Sequence, residues 1–274
     1  MMKVAILYIC TGPYVAFWKG FYESFSARFL KEAEKTYFVF TDAPSVYAEE
    51  TDDAIVRIPQ DNLGWPGNTL YRFRMFMRLR KELEAFDYIF FLNANFVCKT
   101  EVTAEDFLPR EEGLLVVQHP GNFDRRPYLY PYDRNKRCQA YVPYKCLEGK
   151  HYVCGGANGG KRDAYLALIE ELDRRTDIDE KNGIIARWHD ESQINRYIID
   201  HPDYRMLTPA YCYPEGWEIP FEQRFLLLDK KNYIPLDATK TTVKEDSRLK
   251  RRIDGILQKR REERLEEYFR SHGL

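Results

Sequence analysis

The sequence predicts an α/β fold built around a mainly parallel central sheet. Over the first hundred residues, short continuous apolar runs alternate with longer stretches whose apolar residues recur at helical spacing. Continuous apolar runs are typical of strands that helices cover on both faces, as in parallel sheets. With 274 residues, 44% of them hydrophobic, the chain is long enough for one large α/β domain with a sizeable core.

The first hundred residues give the order strand, helix, strand, strand, helix, strand. The four strands are predicted over Val4–Ile9, Tyr37–Phe40, Ala54–Ile58 and Tyr88–Leu92. Ligands of such sheets lie at the carboxyl ends of strands, so the loops after Ile9 and Leu92 are the first candidates for a binding site.

Two helices are predicted between these strands. The first runs from Val15 to about Lys35, where aromatic residues recur at helical spacing, and the second runs from Thr69 to Glu84 and is basic. Turn-forming residues predict a loop over Asn62–Asn68, just before the second helix.

The second half of the chain is less regular. Residues 121–150 are rich in Pro, Tyr and Arg, which predicts long excursions over a cleft. The glycine-rich stretch Cys154–Gly160 predicts a flexible loop leading into a helix over Asp163–Arg174, and another helix is predicted over Asp190–Ile199. Residues 1–239 are predicted to form one domain and residues 240–274 a charged helical tail.

Composition and charge argue against several classes of protein. The formal net charge is -1, so no overall charge favours nucleic acid or an anionic membrane. The tail holds eleven Lys or Arg and seven Asp or Glu, which fits solvated helices or, alternatively, a weak contact with a membrane surface. Scattered cysteines and the lack of a secretion signal lead us to expect a cytoplasmic protein.

Asn93-Ala94-Asn95 directly follows a predicted strand. Its two amides can hydrogen-bond the hydroxyl groups of a ligand, but they carry no charge with which to hold a hard dication. Taken alone, the motif equally fits an ordinary polar strand end.

The segment Trp188–Ser192 places two carboxylates and an imidazole at the start of a predicted helix. Acidic residues stabilise helix starts in any case, so capping is the alternative to a functional role. A carboxylate in this place could also stabilise or attack an anomeric carbon. Arg72, Lys230 and Lys231 are candidate contacts for an anionic ligand, although isolated cations are more often surface charges.

In this order, the segments resemble glycosyltransferase family six, the family of the histo-blood-group A and B transferases and the α-1,3-galactosyltransferase. The resemblance is closest to the bacterial members and runs from Val4 to Asn232; beyond about Pro235 the tail resembles nothing known. The most specific blocks are Tyr8–Gly12 with Tyr14, Tyr37–Asp42, Asn62–Pro66, His119–Gly121, Trp188–Ser192 and Pro214–Trp217.

The resemblance implies a GT-A fold and a catalytic domain that acts as a retaining hexosyltransferase with a UDP-sugar donor. It implies transfer to O3 of a galactose in an oligosaccharide, commonly a galactose that carries an α-1,2-linked fucose. Asn93 and Asn95 stand where the animal enzymes have a metal-binding Asp-X-Asp. They agree with the bacterial members, which work without metal, so no metal or other cofactor is expected.

The resemblance also assigns site residues position by position. Glu191 matches the catalytic carboxylate, and Lys231 matches a cation on the carboxyl-terminal segment that closes over the diphosphate. The other expected donor-binding residues are Ile9, Thr11, Tyr14, Trp65, Arg72, Asn93, Asn95, Gly155, Gly156 and Asp190. Acceptor binding is expected from His119, Trp188 and Glu215.

Gly156 bears on the identity of the donor. In the blood-group enzymes a small residue at the matching position leaves room for an N-acetyl group, so UDP-N-acetylgalactosamine is expected rather than UDP-galactose. The alternatives are an α-1,3-galactosyltransferase, a catalytically inactive protein that binds glycans or nucleotide sugars, and a glycoside hydrolase. The last would use Asp190 and Glu191, but adjacent carboxylates poorly provide the opposed pair that hydrolysis needs.

Overall fold

A computed structural model of the protein describes residues 1–143 and 151–235, together with individual positions between 259 and 271. Within this part of the chain, the strands of the central sheet are β1 (Lys3–Ile9), β2 (Glu34–Thr41), β3 (Ile55–Pro59), β4 (Tyr88–Leu92), β6 (Leu114–Gln118), β7 (Val153–Lys161) and β8 (Tyr204–Leu207). A smaller sheet contains β5 (Phe96–Cys98), β9 (Tyr213–Pro214) and β10 (Phe225–Leu227).

The central sheet has the strand order β3-β2-β1-β4-β7-β6-β8. All neighbouring strands are parallel except β7, which runs antiparallel to both β4 and β6. The predicted α/β fold with a mainly parallel sheet is therefore confirmed. Because the carboxyl ends of β1, β4 and β6 lie at one edge of the sheet, the loops that follow them meet there.

Helices cover both faces of this sheet. The α-helices of the described residues are α1 (Trp18–Arg28), α2 (Gly64–Leu70), α3 (Arg72–Met77), α4 (Arg80–Leu83), α5 (Ala104–Phe107), α6 (Arg162–Lys181) and α7 (His189–Asp200). Side chains of a strand alternate between its two faces. Accordingly, Ile6 and Tyr8 pack on the face covered by α1, whereas Ala5 and Leu7 pack on the face covered by α3, α6 and α7.

The first helix is shorter than predicted at both ends. A 3-10 turn over Gly12–Phe17 precedes α1, and α1 ends at Arg28 instead of continuing to about Lys35. The chain leaves the helix there because Leu30 N–H donates to the carbonyl of Val102 at 2.8 Å, and Val102 N–H donates to that of Arg28 at 2.9 Å. These bonds replace the next helical turn, and β2 can then begin at Glu34 beside β1.

The predicted long helix over Thr69–Glu84 is divided into α2, α3 and α4, because the backbone at Tyr71 and Leu79 leaves the helical region, with ψ near 15°. The loop predicted over Asn62–Asn68 holds through Trp65, whose backbone is extended with ψ 134°, and is wrong from Pro66 onward, where the helical part of α2 begins. The Asn68 amide oxygen accepts from Leu63 N–H at 3.0 Å, which helps to satisfy backbone groups at the start of this helix.

The glycine-rich stretch Cys154–Gly160 is part of strand β7 and not the flexible loop that was predicted. A Cβ on Gly159 would lie 2.3 Å from the Ile89 carbonyl oxygen, and one on Gly160 would lie 2.3 Å from the Gly113 carbonyl oxygen. The glycines therefore allow the neighbouring backbones to approach closely. From the sequence alone, the same glycines predict a flexible loop.

The later helices agree better with prediction. Helix α7 lies where it was expected, and α6 continues to Lys181, well beyond the predicted end at Arg174. None of the helices in the described part of the chain is long and apolar enough to cross a membrane.

The segment predicted to extend over a cleft, residues 121–150, is described only to residue 143. Tyr130, Tyr132 and Val142 from this segment pack in a buried cluster with Tyr152 of the chain leading into β7. Residues 144–150 lie outside the described residues, and so does most of the predicted tail at 240–274, with its expected membrane-surface contact.

We predict that Gly159→Ala destabilises the fold. The new Cβ would lie 2.2 Å from Cδ1 of Phe90 and 2.3 Å from the Ile89 carbonyl oxygen, so backbone must move. Such overpacking costs roughly 1–3 kcal/mol of unfolding free energy or more, visible as a lower Tm in thermal unfolding. Gly20→Ala in α1 is the control: a Cβ there meets nothing within 4 Å, so the Tm should stay level or rise. Equal Tm values for the two variants would contradict the prediction.

Candidate active site

A cavity of about 750 Å³ opens at the carboxyl ends of β1 and β4. We call it the main cavity. Its wall is formed by the loops after these two strands, by α2 and α3, by the starts of β7 and α7, and by the chain around β9 and β10.

All the site residues expected from the sequence line the main cavity except His119 and Lys231. The amino-terminal half of the chain supplies Ile9, Thr11, Tyr14, Trp65, Arg72, Asn93 and Asn95. The carboxyl-terminal half supplies Gly155, Gly156, Trp188, Asp190, Glu191 and Glu215. Segments far apart in the sequence are thus brought to one cavity by the parallel order of the strands.

The Glu191 carboxylate is held in a fixed orientation at the start of α7. Its Oε1 accepts a hydrogen bond from the Tyr152 hydroxyl at 2.9 Å, and its Oε2 accepts one from Gly155 N–H at 2.8 Å. Burial raises the pKa of Glu191, while these two hydrogen bonds act in the opposite direction. A preorganised carboxylate on a cavity wall is suited to stabilise or attack a cationic carbon centre.

Asp190 and Arg72 form a buried ion pair beside Glu191. Arg72 Nη1 lies 2.9 Å from Asp190 Oδ2 and donates to the Gly155 carbonyl at 2.8 Å. The guanidinium also stacks over the Phe91 ring, 4.1 Å from its centroid. Burial raises the pKa of Asp190, and the charge of Arg72 opposes that rise. Arg72 is therefore paired with Asp190. This pairing leaves Arg72 less free to bind an anionic ligand than the sequence alone suggests.

Asn93 and Asn95 are linked to each other and to residues 228–233, which we call the carboxyl-terminal segment. Asn93 Nδ2 donates to Asn95 Oδ1 at 2.9 Å, and Asn95 Nδ2 donates to the Leu228 carbonyl at 2.6 Å. Protein sites for hard dications are built mainly on carboxylate oxygens, and these two amides provide no negative charge. Among the described residues, no group of three or more His, Cys, Asp or Glu side chains could hold a metal ion. The Asp-X-Asp type of metal site thus does not fit the side chains present.

The two glycines at the start of β7 differ in the space around them. A Cβ on Gly155 would lie 2.7 Å from Asp190 Oδ2, so a side chain there would displace the Asp190 carboxylate. A Cβ on Gly156 would lie 3.5 Å from the Cβ of Asn93, an ordinary contact. A side chain at position 156 would therefore take up space in the main cavity and would not disturb the fold.

Three exposed tryptophans belong to the cavity wall: Trp65, Trp188 and Trp217, with 42%, 45% and 50% of their surface exposed. The Trp65 indole packs edge-on against His189, 5.0 Å between ring centroids. Trp217 was not among the residues expected in the site, although the block Pro214–Trp217 was one of the signals of resemblance. Its exposure at a cavity is the feature that only the structure reveals.

The carboxyl-terminal segment is attached to the cavity wall through Glu215. The two oxygens of this carboxylate accept hydrogen bonds from Asp229 N–H at 2.7 Å and from the Tyr233 hydroxyl at 2.8 Å. Lys230 lines the cavity, with its Nζ 5.9 Å from the Tyr14 ring centroid, whereas the neighbouring Lys231 does not. Glu215 thus holds this segment in place, a role that the sequence did not indicate.

Residues 2–233 match the sequence profile of glycosyltransferase family 6. The chain belongs to this family. Its fold is accordingly of the GT-A type, and the protein is a hexosyltransferase that uses a nucleotide-sugar donor and a glycan acceptor.

Several curated proteins are similar to this family 6 enzyme. The O-antigen biosynthesis glycosyltransferase WbnI of Escherichia coli is 35% identical over 84% of this chain and 96% of the relative. The rat histo-blood group ABO system transferase 1 is 29% identical over 74% of this chain and 60% of the relative. The chicken globoside α-1,3-N-acetylgalactosaminyltransferase 1 is 26% identical over 85% of this chain and 68% of the relative. The chain therefore spans nearly all of the bacterial relative but only about two thirds of the vertebrate ones.

The charges on the cavity wall are unevenly balanced for an enzyme with a nucleotide-sugar donor. In the described part of the chain, the lining carries the acidic residues Asp190, Glu191, Glu215 and Asp229 and the basic residues Arg72 and Lys230. Since Arg72 is paired with Asp190, Lys230 is the lining cation that remains for an anionic donor.

Sequence reasoning missed Tyr152, and its acceptor-binding candidate His119 lies beside Tyr152, outside the residues that line the main cavity. Tyr152 is buried, and its hydroxyl donates to Glu191; no motif in the sequence pointed to it. The His119 ring packs edge-on against Tyr152, 5.7 Å between ring centroids, and its Nδ1 accepts from Gly121 N–H at 3.0 Å. Burial lowers the pKa of His119 to about 4, so the ring is neutral at neutral pH.

We predict that Tyr152→Phe moves the acid limb of the pH profile of kcat to higher pH. In the wild type, the hydrogen bond from the Tyr152 hydroxyl favours the ionised form of Glu191. Without this bond the pKa of Glu191 rises further, so protonation of Glu191 inactivates the enzyme at a higher pH. A hydrogen bond to a charged group is worth roughly 1.5 kcal/mol or more, so kcat on the acid side should fall by about tenfold.

The matched control is Tyr132→Phe, which removes a hydroxyl from the same cluster that donates to the His151 carbonyl. That variant should leave the acid limb in place. An unchanged acid limb in Tyr152→Phe would show that Tyr152 does not tune Glu191.

Proposed function

We propose that the protein transfers N-acetylgalactosamine from UDP-N-acetylgalactosamine, with retention of configuration, to O3 of a galactose that carries an α-1,2-linked fucose. The observation that carries the proposal is the oriented Glu191 carboxylate, which shares one cavity with the residues at the carboxyl ends of β1 and β4. The name of the chicken relative, a globoside α-1,3-N-acetylgalactosaminyltransferase, supports the choice of sugar and linkage.

Glu191 acts at the anomeric carbon in this proposal. The bond from that carbon to the UDP oxygen breaks, and its electron pair leaves with UDP. In a double displacement, a Glu191 oxygen bonds to the carbon and is later displaced by acceptor O3. In the alternative, the carboxylate stabilises the cationic sugar while O3 attacks from the side that UDP leaves. In both, the O3 proton passes to the released diphosphate and configuration is retained.

The space at Gly156 supports N-acetylgalactosamine as the transferred sugar. Position 156 has no side chain, and its neighbour on the cavity wall is the amide of Asn93. An N-acetyl group can occupy that space, and the Asn93 amide can hydrogen-bond it. Galactose is the second candidate, since room in a pocket alone discriminates by only ~1–3 kcal/mol.

We further propose that the reaction needs no metal ion. The amides of Asn93 and Asn95 do not fit a hard dication, so the donor diphosphate must be neutralised by other groups. Lys230, which lies on the cavity wall, is the first candidate to neutralise the diphosphate. Lys231 is the second candidate, by resemblance to the family. Ile9, Thr11 and Tyr14 bind the uridine end, and Trp65 binds beside the sugar.

The acceptor is placed on the other side of Glu191. Trp188 and Glu215 line the cavity there, and His119 packs against Tyr152, whose hydroxyl orients Glu191. Because the Glu215 carboxylate holds the carboxyl-terminal segment, we propose that it shapes the acceptor site mainly through that segment.

We predict transfer to 2′-fucosyllactose in the presence of EDTA, with UDP-N-acetylgalactosamine and UDP-galactose assayed side by side. Transfer should occur without added metal, and N-acetylgalactosamine should be transferred faster. The matched control is Glu191→Gln, which should lower kcat by about a thousandfold or more and leave UDP affinity nearly unchanged.

The opposite results are equally informative. Transfer that requires Mn²⁺ would overturn the metal-free proposal, and faster use of UDP-galactose would make the protein a galactosyltransferase. Binding of UDP without transfer under any condition would favour a catalytically inactive binding protein. Full activity of Glu191→Gln would remove Glu191 from the reaction.

We predict different effects for the two neighbouring lysines. Lys230→Ala should raise the donor KM by about tenfold, the loss expected for one charge-assisted contact. Lys231→Ala should lower kcat as well, because in this proposal Lys231 contacts the diphosphate only when the segment closes. Lys19→Ala, an exposed lysine outside the cavity, is the control. Unchanged donor KM and kcat in either variant would remove that lysine from the donor site.

A further inference from the structure

We propose that Trp217 forms a stacking platform for a second sugar ring of the acceptor, the ring on the reducing side of the galactose that receives the transferred sugar. The inference rests on the proposed function, since it assumes a galactose-containing oligosaccharide as acceptor. It adds a subsite whose ligand is the apolar face of a pyranose.

The indole of Trp217 is exposed although its backbone is firmly held. Half of the residue's surface is exposed on the cavity wall. The Tyr213 hydroxyl donates to the Trp217 carbonyl at 2.8 Å and accepts from Ile219 N–H at 3.2 Å, while Trp217 N–H donates to the Pro214 carbonyl at 3.2 Å. An exposed aromatic ring on a braced turn is preorganised for a ligand, because little freedom is lost on binding.

A second loop holds the platform from the side of β6. A Cβ on Gly121, three residues after β6, would lie 3.7 Å from Cη2 of Trp217, so the indole edge rests beside this glycine. Phe123 and Phe221 pack edge-on between the same two loops, 5.1 Å between ring centroids. The lack of a side chain at Gly121 leaves the indole accessible beside the loop.

The strand order places Trp217 on the acceptor side of Glu191. Glu191 is bound to Gly155 on β7, and β7 lies between β4 and β6 in the sheet. The loop after β1, which holds the donor's uridine end in the proposed function, lies on the β4 side. The loop after β6, which contacts Trp217, lies on the other side, roughly one strand spacing (~4.8 Å) from β7. That offset is close to the width of one sugar ring.

The chemistry of the indole fits a pyranose. Sugar rings present flat patches of C–H groups, which pack on aromatic faces, and their hydroxyl groups remain in water. Pockets for small ligands are commonly lined by aromatic side chains with a few polar groups beside them. The polar groups beside Trp217, among them Glu215 and Glu218, can hydrogen-bond the rim of such a ring.

The test compares acceptors with and without the second ring. Methyl 2-O-α-fucosyl-β-galactoside, which lacks only the reducing-side glucose ring of 2′-fucosyllactose, and 2′-fucosyllactose itself are assayed with the wild type and with Trp217→Ala and Trp217→Phe, together with the release of free sugar from the donor without acceptor. In Trp217→Ala, KM for 2′-fucosyllactose should rise by about tenfold. KM for methyl 2-O-α-fucosyl-β-galactoside and the rate of donor hydrolysis should remain at the wild-type values. Trp217→Phe, which keeps an aromatic face, should recover most of the loss.

Tyr47→Ala, an exposed aromatic outside the cavity, serves as the matched control and should behave as the wild type. An unchanged KM for 2′-fucosyllactose in Trp217→Ala, or an equal rise for both acceptors, would overturn the platform. Absence of transfer by the wild type to either acceptor would instead contradict the proposed function, so the two failures are distinguishable.

Discussion

Gly155 is the constraint around which the active site is arranged. Its N–H donates to Glu191, its carbonyl accepts from Arg72, and a Cβ on it would lie 2.7 Å from Asp190. The backbone of Gly155 binds two of these charged groups, and the missing side chain leaves room for the third, the Asp190 carboxylate. Since β7 is paired with both β4 and β6, the sheet fixes the position of Gly155 and, through it, the two carboxylates at the start of α7. The Asn195 side chain ties α7 to Val153 of the same strand and completes this junction.

Burying two adjacent carboxylates has an electrostatic cost that shapes the rest of the cavity. Burial raises the pKa values of both Asp190 and Glu191. Asp190 is compensated by Arg72, whereas Glu191 is compensated by neutral donors that keep its charge available for chemistry. Because Arg72 is paired with Asp190, the cavity wall contributes little free positive charge. In the proposed reaction, the charge for a diphosphate therefore has to come from the carboxyl-terminal segment that Glu215 holds in place.

The strand order also sets the direction of the proposed reaction. Residues after β1 form one end of the cavity, the junction at Gly155 lies in the middle, and the loop after β6 meets Trp217 at the other end. A nucleotide at the first end and a glycan at the last would meet at Glu191. This division follows from the sheet alone, because neighbouring strands are held at a fixed spacing.

The sequence by itself determined the α/β class, the strands β1 and β4, the helix that carries Asp190 and Glu191 in its first turn, and half of the residues that line the cavity. It could do so because continuous apolar runs and helical spacing are local patterns, and the motif residues resemble a known family. Only the tertiary structure decided that Cys154–Gly160 is a strand, that α1 stops at Arg28, and that Arg72 is paired with Asp190. Likewise, only the tertiary structure shows that the Tyr152 hydroxyl binds Glu191 and that Trp217 lines the cavity. Each of these depends on a contact between segments far apart in the chain: backbones that approach closely at glycine, a bridge to Val102, or a hydrogen bond across strands. Such contacts leave no local pattern in the sequence, because they form only when the folded sheet places distant segments next to each other.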